Sequence, residues 1–173
     1  MLFRSHEGDR IDFLATPHLI TMWFTHVEEA APRLPARVTR RDAEALRDLR
    51  DATHTLIGRT VDRLPLPVAA VEALNRYAAD GPRTLRLEVA GSGVRIGSSS
   101  TVRGMDAVLG HLAHEAITLL GGPDAARLRR CDHPDCTMAF VQRHRRRRWC
   151  HPSCGHRTRQ ANYYRRRTAR SGA

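Results

Sequence analysis

Lysine is absent from this chain of 173 residues, so all 29 of its strongly basic side chains are arginine. A GC-rich coding sequence produces such a bias in composition, but it does not cluster the arginines along the chain. Cysteine is absent from the first 130 residues, and all four stand between positions 131 and 154. No window approaches the roughly 18 to 20 uncharged apolar residues that a membrane-crossing helix needs. The opening MLFRSHEGDRIDF also lacks the basic-then-apolar order of a secretion signal. With no internal repeat and no long low-complexity stretch, these absences exclude a membrane or secreted protein and lead us to expect a cytoplasmic one. In that compartment thiol buffers keep ordinary cysteine pairs reduced, so clustered thiols point to metal rather than disulfides.

What is present divides into two parts. The length and the 41% hydrophobic content suit one ordinary domain with a small appendage, long enough to bury a core without metal. Residues 1–126 hold 15 arginines against 16 acidic groups, whereas residues 127–173 hold 14 arginines against Asp132 and Asp135 alone. The tail therefore carries twelve net positive charges and accounts for the chain's overall +11. Such an asymmetry points to a polyanion, above all nucleic acid.

Periodicity predicts a mostly helical first domain over residues 1–124. Leu19, Ile20, Trp23, Phe24 and Val27 share one face of a helix over 17–31, with Pro17 near its start and Pro32 beyond its end. Thr39 can cap a second helix, with Asp42 in its acidic first turn, an apolar stripe through Leu46, Leu49, Leu56 and Ile57, and an end near Gly58. VAAVEALNRYAADG gives a third helix stopping at Gly81. Leu85, Leu87 and Val89 then alternate with polar residues, and after Gly91-Ser92-Gly93 the alternation resumes through Val94 and Ile96, which is a hairpin signal. A last helix runs from Met105 to Gly121, followed by a short linker to the first cysteine. The fold class expected is α+β: helices with a small antiparallel hairpin, then a treble-clef-like zinc finger over 127–170.

Cys131, Cys136, Cys150 and Cys154 form a Cys-x4-Cys pair and a Cys-x3-Cys pair thirteen residues apart, a spacing that lets four thiolates close the tetrahedral shell of one structural Zn2+. Cys131 to Cys136 reads as a turn, Met138 to Val141 as a strand, and a helix begins at about Gly155. Histidines 133, 144, 151 and 156 lie nearby, but four thiolates leave no open position, so turn and surface roles suit them. Arg143, Arg145, Arg146, Arg147 and Arg148 make a basic turn for phosphates, some forming bidentate bonds. On the final helix His156, Arg159, Tyr163, Arg166, Arg167 and Arg170 recur at helical steps, with Arg157, Gln160 and Asn162 beside them, so a face of that helix can enter a groove of double-stranded DNA. Of Tyr163 and Tyr164, one is expected on the finger's core and the other toward the ligand.

The run LRRCDHPDCTMAFVQRHRRRRWCHPSCGHRTRQANYYRRR resembles the bacterial CGNR zinc-finger family in its paired cysteines, its central Phe140, its Arg-Arg-Trp-Cys sequence and its Cys-Gly-x-Arg signature. His156 stands where the family has asparagine, and the second cysteine pair is one residue closer than in many members. Upstream, PLPVAAVEALNRYAADGP, the hairpin and the following helix resemble the stress-induced transcription regulator domain called ABATE. The resemblance implies a bacterial, zinc-dependent DNA-binding transcription regulator, nucleoid-associated, whose first domain senses an effector or dimerises. Trp23, His26 and Arg86 would offer aromatic, polar and cationic groups to a small aromatic or acidic effector, and regulator symmetry suggests a homodimer.

Other functions compete less well. His111-Leu-Ala-His114-Glu115 has neither the order nor the i, i+4 spacing of a metalloprotease motif, and Gly91-Ser92-Gly93 lacks the strand-to-helix setting of a dinucleotide loop, so no enzyme is expected. RNA binding is the serious rival, since arginines and tyrosines together can stack on unpaired bases. A zinc-stapled protein-interaction module is the third reading.

Overall fold

The computed structural model describes residues 2–4, 10–26 and 33–171, the side chains of residues 2–4, 10, 166 and 169–171 aside. In chain order the elements are strands β1 (Leu2–Arg4) and β2 (Arg10–Asp12) and helices α1 (Pro17–Thr25), α2 (Arg40–Asp62) and α3 (Val68–Asp80). There follow β3 (Arg83–Ala90), β4 (Gly93–Ser100), α4 (Met105–Gly121), β5 (Leu128–Arg130), β6 (Ala139–Val141) and α5 (Pro152–Ser171). Among the described residues the strands pair as antiparallel ribbons: β1 with β2, β3 with β4 and β5 with β6. The fold is α+β and divides into two compact units, Met1–Leu56 with Leu66–Thr118, and Ile57–Pro65 with Leu119–Ala173.

Helix starts follow local chemistry. Thr16 caps α1 by accepting the Leu19 N–H, and Pro17 stands in its first turn. At α2, Thr39 Oγ1 accepts the Asp42 N–H at 3.2 Å while Asp42 Oδ2 accepts the Thr39 N–H at 2.7 Å, a reciprocal capping box with aspartate in the usual glutamate position. The expected helix over 17–31 ends at Thr25, where His26 closes it with its N–H on Phe24 and Trp23 carbonyls; Val27 and the rest of that expected helix lie outside the described residues.

Expected to end near Gly58, α2 instead runs through that glycine to Asp62. A helical glycine costs only about 1 kcal/mol, which continued backbone pairing offsets. The actual stop is Arg63, in the left-handed region at φ 55, with Leu64 N–H on Arg59 O at 2.9 Å and Arg63 N–H on Thr60 O at 3.3 Å. These are the two bonds of a Schellman motif, built on arginine where glycine is usual. Arg63→Gly should therefore raise stability by about 0.5 to 1 kcal/mol, read as a higher urea midpoint at an unchanged slope.

The first unit has its own core: Leu14, Ile20 and Phe24, then Ala43, Leu46, Leu49 and Leu56 of α2, Leu74 and Ala78 of α3, and Met105, Val108, Leu109, Ala113 and Ala116 of α4 are buried. Each large aliphatic removed from water there contributes roughly 1.5 to 3 kcal/mol. Arg50 Nη1 reaches both oxygens of Asp12 at 2.8 Å, and Arg47 donates to Leu14 O at 2.7 Å, so α2 holds the chain between β2 and α1.

Gly81, at the end of α3, and Gly110, inside α4, meet backbone to backbone. A Cβ on Gly81 would stand 2.6 Å from the Gly110 Cα, and one on Gly110 would strike the Gly81 carbonyl and Cα more closely still. Because the obstacle is main chain, the two elements would have to separate. Gly110→Ala is expected to cost about 1 to 3 kcal/mol or more, despite alanine's better helix propensity, and a lowered first thermal transition would register it.

Candidate metal centre and nucleic-acid surface

In the second unit, β5 and β6 form a short ribbon in the register Leu128↔Val141, Arg129↔Phe140 and Arg130↔Ala139. Strand β5 lies in what the sequence suggested was linker; only Leu128 of its three residues is buried, too little alternation to signal a strand. Past β5 the chain turns through Cys131–Cys136, with Cys131 N–H on Met138 O at 2.9 Å and Cys136 N–H on His133 O at 2.9 Å. Helix α5 starts at Pro152, three residues before the expected Gly155, because His151 acts as its cap: His151 Nδ1 accepts the Ser153 N–H at 3.2 Å. Cys154 thus sits in the first helical turn.

The four sulfurs come together. All lie within 4.8 Å of one another, with Cys136 Sγ 3.6 Å from Cys150 Sγ and Cys150 Sγ 3.7 Å from Cys154 Sγ. A tetrahedral zinc shell with Zn–S near 2.3 Å sets its sulfurs about 3.8 Å apart, so these residues fit one zinc ion. All four cysteines are free of disulfides, and among the described residues no histidine joins the cluster. His133 is buried with its Nδ1 on the Asp135 N–H.

Hydrogen bonds prepare the sulfurs for negative charge. Cys131 Sγ accepts the Cys150 N–H at 3.4 Å, and Cys154 Sγ accepts from Arg157 Nη2 at 3.3 Å. Burial pushes the Cys136 and Cys150 thiols up. Burial also opposes ionisation of Cys154, but the Arg157 bond and the neighbouring sulfurs together draw it below the usual thiol range. Outer-sphere donors of this kind orient ligands and tune the metal.

The arginines separate into two sets. Arg147 donates from Nε to Trp149 O at 3.1 Å and from Nη2 to Cys150 O at 2.6 Å, with its guanidinium 4.8 Å from the buried Phe140 ring. Arg148 bonds Asp132 Oδ2 at 2.7 Å, and Arg148 and Arg159 both lie over the Trp149 ring. These residues, with Arg157, are tied into the finger, a structural engagement that the expected phosphate-contacting roles did not include. Gly155 completes the packing, since a Cβ there would fall 2.9 Å from the Trp149 ring.

Arg143, Arg145 and Arg146 differ: they are exposed, and no hydrogen bond or ion pair engages their guanidinium groups among the described residues. Arg145 and Arg146 occupy the tip of a turn closed by Arg147 N–H on His144 O at 2.9 Å. Gln142, which sequence reasoning passed over, pins that turn through Nε2 to Arg147 O at 2.8 Å and Arg145 O at 3.4 Å. Its only signal was a lone amide beside an arginine run.

Along α5, His156, Arg159, Gln160, Tyr163 and Arg167 are exposed, Asn162 is half-buried and accepts from Arg165 Nη2 at its Oδ1, and the helix holds no acidic residue. Tyr163 and Tyr164 are 60% and 56% exposed and meet edge to face, so neither packs into the core as one was expected to do. The side chains of Arg166 and Arg170 lie outside those described.

In the first unit, Trp23 stands on α1, His26 closes that helix and Arg86 lies on β3. Trp23 meets Phe24 and leaves its buried Nε1 without a partner, exposed His26 bonds Met22 O through Nδ1, and exposed Arg86 lies on β3 opposite Gly97. The His26 backbone N–H also bonds the Trp23 carbonyl at 3.1 Å.

Two family models match the chain. ABATE, described as "Putative stress-induced transcription regulator", covers residues 4–123, and the CGNR zinc finger covers residues 127–167. No curated protein matches it. No helix among the described residues is long and apolar enough to cross a membrane.

Proposed function

Because the chain belongs to the ABATE family and carries a CGNR zinc finger over residues 127–167, we propose that it is a transcription regulator whose finger grips double-stranded DNA. The observation that carries this reading is the division of the arginines. One set braces the metal centre, and the other stands unengaged at the tip of a turn that Gln142 holds in shape. Presenting guanidinium groups on a fixed turn lowers the ordering cost of phosphate contacts. Zinc, when bound, supplies folding free energy to this module and takes no part in any reaction.

Helix α5 supplies the second contact. It has twenty residues and no acidic side chain, and its buried residues among those described are only Cys154 and Gly155. Its remaining turns are available to a groove, with His156 and Gln160 exposed for base edges and Arg159 held at Trp149. For the first domain the reading keeps effector sensing or dimerisation, with Trp23, His26 and Arg86 as the aromatic, polar and cationic groups offered to an effector.

The exposure of both tyrosines favours a second reading, in which they stack on unpaired bases of RNA or single-stranded DNA. One experiment separates the two. Zinc-loaded protein is titrated with random-sequence duplex DNA, single-stranded DNA and structured RNA over a salt series, and bound duplexes are selected and sequenced. An enriched duplex motif supports the regulator, single-strand preference supports the rival, and absence of binding to all three sinks both.

A further inference from the structure

The β3–β4 ribbon carries a surface that the nucleic-acid reading does not use. Its register sets Leu87 opposite Ile96 and Val89 opposite Val94, with Leu85 one pair further along on the same face. These five aliphatics are exposed at 64% to 85%. The other face carries Arg86 and the ion pair Glu88–Arg95, whose members lie directly opposite each other. Gly91, at φ 58 in the two-residue loop, fixes this register and therefore the segregation of the faces. The alternation is that of a sheet with one covered side, yet the apolar side meets water. A two-stranded ribbon is marginal in water unless its apolar face packs on something.

We infer that this face is the contact between two copies of the chain. Its one charged residue, Arg83 at the end of β3, is largely buried and paired with Glu115, so the face offers little to nucleic acid or charged peptides. The chain's own undescribed residues, 1, 5–9, 27–32 and 172–173, hold only Met1 and Val27 as large apolar side chains, too little apolar surface to cover it. Five aliphatics at this exposure present on the order of 600 Å² per copy, and a symmetric pair buries on the order of 1,200 Å², the lower bound of a specific interface. A two-fold axis passing near the Leu87–Ile96 pair sets β3 aliphatics of one copy on β4 aliphatics of the other, as a self-complementary interface requires. Electrostatics does not oppose it, because residues 1–126 nearly balance their 15 arginines with 16 acidic groups.

The test is sedimentation equilibrium of the full zinc-loaded chain at roughly 1 to 100 µM without nucleic acid, so that its outcome is independent of DNA binding. Wild type is expected to dimerise, and Leu87→Glu to weaken the dimer by at least about tenfold with an unchanged thermal transition. Arg86→Glu, a charge change on the opposite face, should dimerise like wild type. Should Leu87→Glu misfold, Ile96→Thr keeps a β-branched residue in the strand and is expected to weaken pairing as well. A wild type that stays monomeric, including one that binds neutral lipid vesicles instead, overturns the inference, as does a folded Leu87→Glu or Ile96→Thr that pairs as tightly as wild type.

Discussion

Removing zinc, by chelation or by Cys150→Ser, will unfold the finger and abolish nucleic-acid binding while the first unit stays folded. The asymmetry follows from what each unit buries. Among the described residues, fourteen apolar side chains form the core of the first. In the second, the residues buried to a comparable degree among those described are few: Leu128, Phe140, His133 and Gly155, with two of the cysteines themselves. A structural zinc site contributes about 10 to 16 kcal/mol of apparent binding free energy, comparable with the whole stability of a typical domain. Losing one thiolate also leaves Arg147 without the local geometry that sets its bonds to the Trp149 and Cys150 carbonyls. Circular dichroism should lose the signal of α5 on chelation, and calorimetry should retain the first unit's transition. Acidification acts in the same direction, since thiols must shed protons to bind metal. Full duplex binding by zinc-free protein would refute the metal-dependent account.

How far the sequence foretold this depends on the range of each signal. Cysteine spacing needs only four positions, and the sulfurs of Cys131, Cys136, Cys150 and Cys154 do converge. Thr39 and Asp42 are three residues apart, and their capping box forms. Alternation over eight residues revealed β3 and β4. Three-residue strands such as β1, β2 and β5 are too short to carry a period, and each exists through pairing that composition does not announce. The extension of α2 past Gly58 was hidden because a glycine weakens a helix without ending it, while the stop at Arg63 uses a residue with no stop signal. Least legible was the division of labour among identical side chains. Nothing local distinguishes Arg146 from Arg147, yet one points from a turn tip and the other reaches two carbonyls and the Phe140 ring. Only tertiary geometry separates a bracing arginine from one offered to a partner.

That division yields the sharpest test of the interface. Replacing Arg143, Arg145 and Arg146 with alanine removes three guanidinium groups that no hydrogen bond or ion pair engages among the described residues, so folding and zinc content should not change. On duplex DNA every phosphate that the protein ceases to neutralise lowers the slope of log affinity against log salt by about 0.9, so the triple variant should flatten it by roughly 2.7 and weaken all sequences alike. Arg147→Ala should act differently. It discards two bonds to backbone carbonyls and the stacking on Phe140, each bond worth roughly 1 to 3 kcal/mol once its charged donor is counted, and its first effect is a finger that loses zinc or melts earlier. At zinc saturation its salt slope should stay near the wild-type value. If the triple variant keeps the wild-type slope, the turn lies outside the interface and α5 alone carries the binding. If Arg147→Ala flattens the slope while the finger stays intact, that arginine leaves its carbonyls for a phosphate, and the two sets are one.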